Sequence, residues 1–341
     1  MVRKLKGEEM TKVNKPKWEF SSRNVIFLLL FILLIGFPLI SSGYYILLIL
    51  IFANVGAVYA ASWDLTAGVT GQFSFGQVLF FGIAGYVSGF LNLHLGLPPL
   101  ITIPIGGAMG VLAGLIVGLP SLRLKGPYFM IVSLIFPGIL SGIIFMRPDL
   151  TGGETGLYGL SPISDNIVIT YYASLFMMLI SIFILLKILS SRIGLVFRSI
   201  REDPDVAEAT GINTTKYKLL AWGISGLFAG IAGGFQTHQL MTINPFVFGS
   251  VYSFQAILYA IFGGAGTIIG SVAGSYILTT LNELLRYITD LRAILYSVVM
   301  IITFLFLPMG IYQWFAVKLN IELGTWNGLK KLRRETYDPD S

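Results

Sequence analysis

The chain has 341 residues, of which 55% are hydrophobic and only 12% are charged, and its mean hydropathy is +0.79. A soluble domain carries about twice that charged fraction, so this much apolar surface cannot be buried in one soluble core. Cysteine is absent, which excludes disulfides, thiolate metal sites and cysteine nucleophiles. The composition predicts a helical membrane protein without room for a large soluble catalytic domain.

Apolar stretches follow one another along most of the chain, and several approach the roughly 20 residues that one helical span requires. They predict an all-α polytopic membrane protein with about ten transmembrane helices. The predicted spans are 25–40, 44–61, 78–95, 100–119, 128–146, 167–189, 217–235, 250–262, 267–284 and 293–312. The Gly-rich stretch 68–76 is a further segment that could enter the membrane.

Positive residues concentrate in four segments, which are the tail 1–23, the loop with Arg123 and Lys125, the loop 190–218 and the tail 317–341. The positive-inside rule places all four in the cytoplasm, so the net charge of +6 indicates topology rather than a nucleic-acid partner. The predicted spans separate consecutive segments by even numbers, as this orientation requires. We therefore predict a transmembrane domain over 24–316, cytoplasmic termini and an outward-facing loop at 147–166.

The third positive segment carries the start and stop signals of a short helix. Asp203 can cap its first turn, Pro204 fits its first position, and Gly211 fits the left-handed position after its last turn. Val206 and Ala209 give it a small apolar face. Two helical turns are marginal in water without a partner surface. The pattern fits both a connector resting on the membrane and a coupling helix that docks on a cytoplasmic motor.

Five polar residues near membrane depth are candidates for lining a translocation pathway: Gln72, Ser74, Gln77, Gln236 and Gln255. The competing interpretation is that they form hydrogen bonds between helices.

Other polar residues have structural interpretations. We expect Asp64 at a solvated interface, because an acid buried in the membrane would be costly and functional by default. His94 and His238 are expected at the outer interface, and Glu283 with Arg286 as a local i, i+3 pair. The sequence shows neither a catalytic constellation nor ligands at metal-binding spacing.

Five motifs occur in order: 71–77 (GQFSFGQ) running into 80–86 (FFGIAGY), 118–129 (GLPSLRLKGPYF), 150–157 (LTGGETGL), 201–221 (REDPDVAEATGINTTKYKLLA) and 263–267 (GGAGT). Together they resemble the branched-chain amino-acid ABC transporter permeases, over roughly 54–310. The long arginine-bearing loop is similar to that of the second of two paralogous permease types. Asp64 and Gln77 depart from the family, which often has Asn and His there.

The resemblance implies an importer built from two permeases, two cytoplasmic ATPases and an external binding protein. It implies contact with the ATPase through Arg201, Glu202, Asp203, Pro204, Asp205, Ala207, Glu208, Ala209 and Gly211. The outer loop would contact the binding protein through Thr151, Gly152, Gly153 and Glu154. The sequence lacks a phosphate-binding loop, so we expect no cofactor on this chain and ATP on the partner ATPases. The expected location is the inner (cytoplasmic) membrane.

The family's commonest cargo is branched-chain amino acids, and urea or short amides are alternatives. A self-sufficient secondary carrier is a second hypothesis. Such carriers usually hold intramembrane carboxylates that bind coupling ions, for which Asp64 is the one candidate in the sequence. A membrane enzyme is a third hypothesis, which the lack of a nucleophile with its base disfavours.

Overall fold

A computed structural model gives the fold of the chain. It divides into two compact units, Met1–Ser41 and Ser42–Ser341. In the first unit, residues 34–38 are helical, and all other described elements belong to the second. The described residues are 34–38, 43–121, 127–287, 297, 298, 301, 305, 310–312 and 314.

Several predictions therefore lie outside the described residues. They are the tail 1–23, most of the spans 25–40 and 293–312, the loop with Arg123 and Lys125, and the tail 317–341.

The second unit is predominantly helical in its described part. Its helices are α1 (Tyr44–Asp64, continued by the π-helical turn Leu65–Val69), α2 (Gln77–Leu95), α3 (Pro99–Ser121), α4 (Pro127–Phe145), α5 (Pro148–Thr151), α6 (Ile167–Leu189), α7 (Arg192–Glu202), α8 (Pro204–Ala209), α9 (Thr214–Leu240), α10 (Ser250–Gly263) and α11 (Ile268–Leu284). Two short strands, β1 (Leu157–Tyr158) and β2 (Thr242–Ile243), form one antiparallel ladder. Short 3₁₀ turns occupy Pro245–Phe248 and Leu285–Tyr287.

Six helices in the described ranges are long and apolar enough to cross a membrane, namely α1 with its π-helical turn, α2, α3, α4, α6 and α9. α10 and α11 meet the same criterion only as a pair, and a bend of 112° separates them. The pair is one broken span or a re-entrant segment, although both helices stand where spans are predicted. The all-α polytopic architecture is confirmed, and the count of ten spans stays a prediction.

Two helices extend beyond their predicted ends. α1 and its π-helical turn continue to Val69 rather than ending at 61, and the polar residues of this extension, Ser62, Asp64 and Thr66, are all buried. α9 runs over Thr214–Leu240 rather than 217–235. Its start is fixed by Asn213, whose Oδ1 accepts a hydrogen bond of 2.9 Å from Lys216 N.

Glycine allows α2, α3 and α9 to pack with their backbones in contact. A Cβ atom on Gly106 of α3 would lie 2.6 Å from the carbonyl oxygen of Ala84 in α2. Gly110 of α3 and Gly226 of α9 face each other so closely that a Cβ on either would overlap the other's carbonyl group. Small residues serve this purpose in lipid, where the hydrophobic effect does not hold helices together.

α1 lies at the centre of the second unit and packs against α6, α9, α10 and α11. Its buried Asn54 links two neighbours: Nδ2 donates to Ser174 Oγ on α6 at 2.9 Å, and Oδ1 accepts from the hydroxyl of Tyr276 on α11. Ser275 Oγ of α11 donates to the Ala53 carbonyl at 2.9 Å. At the end of α11, the predicted pair of Glu283 and Arg286 is confirmed, with an N–O distance of 2.9 Å. Polar contacts thus fix α1 between its neighbours.

The close approach of α3 and α9 predicts a stability effect. Gly110→Ala should lower the thermal unfolding midpoint of the purified protein, because overpacking costs about 1–3 kcal/mol. Gly142→Ala on α4 is the matched control, since no described atom beyond the adjoining backbone of its own helix lies within 4 Å of its added methyl group. Alanine in a helix is favoured over glycine by up to about 1 kcal/mol, so this control should unfold at the same temperature or higher. Equal midpoints for the two variants would contradict the packing argument.

Candidate functional site

The short helix α8 stands where the sequence predicts a coupling helix. α8 spans Pro204–Ala209, with Pro204 at its first position. Asp203 caps it, because its Oδ1 accepts hydrogen bonds from the backbone N–H groups of Asp205 (2.9 Å) and Val206 (3.1 Å). The predicted start of this helix is confirmed.

The end of α8 also follows the prediction. Gly211 has a φ of +88°, a left-handed conformation that glycine adopts without steric cost. Its N–H donates to the carbonyl of Glu208 at 2.9 Å, and the N–H of Ile212 donates to that of Ala207 at 3.2 Å. These two hydrogen bonds form a Schellman motif, which satisfies the last carbonyl groups of the helix.

Most of the residues predicted to contact an ATPase are uncovered on this chain. Ala207 is buried, whereas the exposed members are Arg201, Glu202, Asp203, Pro204, Asp205, Glu208, Ala209 and Gly211. Val206 is 59% exposed, so α8 also presents an apolar side chain. Apart from Ala207, the side chains of this capped helix are exposed.

A second helix, α7, directly precedes α8. It was not predicted from the sequence, because these residues were interpreted as a loop. Ser191 caps α7 by accepting a hydrogen bond of 3.2 Å from Ile193 N. The inward face consists of Gly194, Phe197 and Ile200, all buried. Their spacing of three is the helical signal that could have revealed it.

Arg201, in the last turn of α7, reaches the end of α1. Its Nη1 donates a hydrogen bond to the carbonyl oxygen of Gly68 in the π-helical turn. Its backbone rests on Gly71, where a Cβ atom would lie 3.2 Å from Arg201 Cα. Gly71 has a φ of +77°, so the turn and the close approach both favour glycine. Arg201 therefore ties the coupling segment, residues 190–213, to the transmembrane helices.

The prediction that Asp64 lies at a solvated interface is wrong, because this side chain is fully buried. α1 continues past the predicted end and carries Asp64 into the contact with the loop between α10 and α11. Its Oδ1 accepts a hydrogen bond of 2.6 Å from Gly266 N. Oδ2 has no hydrogen-bond partner among the described residues. The guanidinium of Arg201 acts on this carboxylate as an opposite charge.

The motif 263–267 forms the bend between α10 and α11. Gly264 and Gly266 have φ values of +125° and +84°, which other residues rarely adopt. Thr267 Oγ1 donates to the carbonyl of Gly264 at 2.6 Å and closes the turn. Gly310 packs on the turn from outside, since a Cβ there would lie 2.9 Å from the carbonyl carbon of Gly263. The bend is a tight structure covered by other segments.

The pathway candidate Gln77 joins three helices. Its Nε2 donates to Ser62 Oγ on α1 at 2.7 Å and to Ser225 Oγ on α9 at 2.9 Å. Ser225 Oγ in turn donates to the Ser62 carbonyl at 2.7 Å. All three side chains are buried. This geometry fits the interpretation of hydrogen bonding between helices.

Gln72 and Ser74 lie in the segment that leads into α2, and both are buried. Gln72 Oε1 accepts a hydrogen bond of 2.9 Å from Trp222 Nε1, and its Nε2 lacks a partner in the described part of the chain. Ser74 Oγ accepts from Gly76 N at 2.9 Å, and its carbonyl accepts from Trp63 Nε1 at 2.7 Å. Two indole groups therefore hold this segment in place.

The remaining pathway candidates, Gln236 and Gln255, lie on other helices. Gln236 lies near the end of α9 and is partly exposed. Gln255 on α10 donates to the Tyr259 hydroxyl at 2.7 Å, which also accepts from Thr279 Oγ1 on α11 at 3.1 Å. The contacts place the candidates in separate groups, and the pathway role stays a prediction.

The outer loop is tied to the far end of α9. Strand β1 in this loop pairs with β2, which follows α9 directly, in the register Leu157 with Ile243 and Tyr158 with Thr242. The coupling segment joins α9 at its start. A helix of 27 residues is about 40 Å long, so the coupling segment and the outer loop lie at opposite ends of α9.

The four residues predicted to contact an external protein form a tight turn. Thr151 Oγ1 lies 2.7 Å from the carbonyls of both Ile144 and Arg147, to which it can donate. Gly152 and Gly153 have φ values of +74° and +58°. Glu154 is exposed. The turn positions this acidic side chain at the surface.

His238, expected at the outer interface, is fully buried near the outer-loop end of the extended α9. Its Nδ1 lies 2.8 Å from the Ser161 carbonyl, and its Nε2 lies 2.8 Å from Thr102 Oγ1 and 3.0 Å from Ser88 Oγ. A neutral ring with the proton on Nδ1 satisfies these contacts. His238 therefore anchors the outer loop to α2 and α3, whereas His94 is exposed.

A cavity of about 900 Å³ lies beside α8. Its lining includes Leu115, Ile193, Glu208, Gly211, Lys216 and Leu219. The lining thus combines apolar side chains with the charged side chains of Glu208 and Lys216. In the described residues, no group of three or more histidine or acidic side chains is arranged to hold a metal ion.

Comparison with protein families matches residues 45–307 to the branched-chain amino acid transport system permease component. No solved structure matches the chain.

Curated relatives agree with this match. The high-affinity branched-chain amino acid transport system permease protein LivM of Escherichia coli K12 is 25% identical over 294 residues, covering 78% of this chain and 69% of the relative. The probable branched-chain amino acid transport permease protein LivH of Methanocaldococcus jannaschii is 24% identical, covering 77% and 90%. The fructose import permease protein FrcC of Rhizobium meliloti is 25% identical, covering 77% and 75%. The chain is a multi-pass membrane protein that belongs to the family of branched-chain amino acid transport system permease components.

Proposed function

We propose that this chain is a membrane-spanning permease subunit of an ATP-binding-cassette importer. The observation that carries the proposal is α8, a doubly capped helix of six residues that is exposed on this chain. Such a short helix needs a partner surface for stability beyond its caps. Family membership supports an ATPase as that partner. The proposed contact uses Arg201, Glu202 and the helix itself.

The other subunits follow from this function. Two cytoplasmic ATPases would bind and hydrolyse ATP, so no cofactor is proposed for this chain. A second permease, a paralogue or another copy, would complete the pathway across the lipid bilayer. An external binding protein would deliver the substrate to the outer loop at Thr151–Glu154. No nucleic acid takes part.

The orientation proposed from charge is compatible with the geometry. The segment 190–218, with its five Lys and Arg residues, would face the cytoplasm, and the outer loop, at the other end of α9, would face outward. We retain ten spans, the transmembrane domain 24–316 and cytoplasmic tails at 1–23 and 317–341. The proposed location is the inner (cytoplasmic) membrane.

Branched-chain amino acids or related amino acids are the proposed substrates. Relatives named as branched-chain amino acid permeases support this choice. The similarity to a permease named for fructose import shows that related chains serve other small polar nutrients. Urea and short amides remain alternative substrates that a binding assay with the external protein distinguishes.

A self-sufficient secondary carrier is the second candidate function, and the burial of Asp64 favours it. A carboxylate inside a span is the residue that ion-coupled carriers use. However, Gly266 N already binds one oxygen of Asp64, and Arg201 supplies an opposite charge within the protein. Internal compensation of this kind supports a structural rather than an ion-binding role.

Reconstitution separates the two functions. The complex purified with its ATPase should take radiolabelled leucine into liposomes when ATP is supplied on the ATPase side and the binding protein on the other. Uptake should stop with a non-hydrolysable ATP analogue. Equal uptake by this chain alone, driven by a proton or sodium gradient, would establish the carrier and contradict the importer.

The left-handed end of α8 gives a second prediction. Gly211→Val should lower ATP-driven uptake at least about tenfold, because a β-branched residue at this φ costs about 1–3 kcal/mol and unwinds the end of the helix. The control is Gly211→Asn, since asparagine tolerates left-handed backbone and should keep most of the uptake. Both variants should retain the wild-type amount of folded protein by size-exclusion chromatography. Normal uptake by Gly211→Val would refute the role of this helix end.

A further inference from the structure

Three separated parts of the chain meet around Gly266, in the bend between α10 and α11. Gly266 N donates to Asp64 Oδ1 on α1 at 2.6 Å. A Cβ atom on Gly266 would lie 2.8 Å from Arg201 Nη1 and 3.2 Å from the carbonyl oxygen of Gly68. Gly266 therefore touches both the buried acid and the arginine that precedes the coupling helix. The absence of a side chain at this position is what allows both contacts.

Charge makes this cluster more than a packing contact. Asp64 is fully buried in a candidate membrane span, and its Oδ2 has no hydrogen-bond partner within the described ranges. A buried carboxylate is stable only when an opposite charge or several donors compensate it. Arg201 provides the opposite charge. Moving Arg201 away would leave this acid without its opposite charge, with only the neutral donors Gly266 N and the Ser271 hydroxyl beside it.

Arg201 is joined to the coupling helix α8 by a short and ordered connection. Only Glu202 and the cap residue Asp203 separate it from Pro204, the first residue of α8. Asp203 belongs to both helices, because its N–H donates to the Ser199 carbonyl of α7 at 3.2 Å while its side chain caps α8. A displacement of α8 must therefore displace Arg201.

The bend between α10 and α11 is also held in place by close contacts. The bend is closed by Thr267 and covered by Gly310, and α11 runs from it antiparallel to α1, as the contacts of Ser275 with Ala53 show. Gly56 of α1 packs so closely on α11 that a Cβ there would lie 2.6 Å from Ser275 Oγ. A shift of the bend would therefore be passed along α11 into the centre of the protein.

We propose that Arg201 and Asp64 are positioning residues for transport, which together fasten the bend of α10 and α11 to the coupling segment. Movement of α8 on an ATPase then moves the bend through Arg201, Gly68 and Gly266. This inference rests on the proposed importer function. It assigns to Arg201 an inward contact with the transmembrane helices, in addition to any contact with the ATPase.

The main test is Arg201→Gln in the complex with its ATPase and binding protein. Glutamine removes the charge and is too short to keep the contacts with Gly68 and Gly266. We expect the substrate transported per ATP hydrolysed to fall about tenfold. This ratio is measured on the complex that assembles, so a weaker contact between Arg201 and the ATPase does not enter it. Arg192→Gln, the same change at the exposed start of α7, is the control and should keep the wild-type ratio. A wild-type ratio in Arg201→Gln would overturn the proposal.

A double variant separates positioning from mere stability. Asp64→Asn keeps an oxygen for Gly266 N and removes the buried charge. Combined with Arg201→Gln, it should restore the thermal unfolding midpoint that the single arginine variant loses, because no uncompensated acid remains. The transport ratio should stay low, since the contacts with Gly68 and Gly266 are still missing. Recovery of both the midpoint and the ratio would show a structural role only and would contradict the proposal.

If Arg201→Gln alone fails to fold, the substrate transported per ATP hydrolysed is measured on the double variant instead. Failure of the importer function looks different from failure of this inference. In the first case the wild-type complex shows no ATP-driven uptake. In the second case the wild type transports normally and every variant matches its ratio.

Discussion

The close approach of helix backbones is the constraint on which the rest of this structure depends. In lipid no hydrophobic force draws helices together, so packing relies on small residues and on polar groups that find partners inside the protein. Gly110 and Gly226 bring α3 against α9, and Gly56 brings α1 against α11. The same property lets Gly68 and Gly266 meet beside Asp64. The proposed link between α8 and the bend depends on these contacts, which leave little free space.

Much of the fold could be predicted from hydropathy and local signals. The span 167–189 coincides with α6, and the caps of α8 are the residues Asp203 and Gly211 that the sequence indicates. These features depend on neighbouring residues, so they are visible in one sequence. α7 shows the limit of that approach, because its apolar spacing is present but short, and its three arginines (Arg192, Arg198 and Arg201) suggested a loop.

The rest could not be predicted, because it depends on contacts between distant segments. Asp64 was expected at a solvated interface and His238 at the outer interface, and both are buried with partners more than 70 residues away, Gly266 and Ser161. Polarity alone predicts exposure, whereas a pre-arranged N–H or carbonyl group makes burial possible. The 112° bend was not predicted either, because a separate span was assigned to each of its helices, which meet the length and hydropathy criterion only as a pair.

The central claim, that α8 is the surface through which an ATPase acts on this permease, is tested most directly by cross-linking at Val206. The chain has no cysteine, so one introduced there carries a single photoreactive probe. In native membranes the probe at Val206, which is 59% exposed, should form an adduct with an ATPase chain, identified by mass spectrometry. The same probe at Tyr158 in the outer loop should not. ATPase adducts from Tyr158, or only lipid adducts from Val206, would contradict the account.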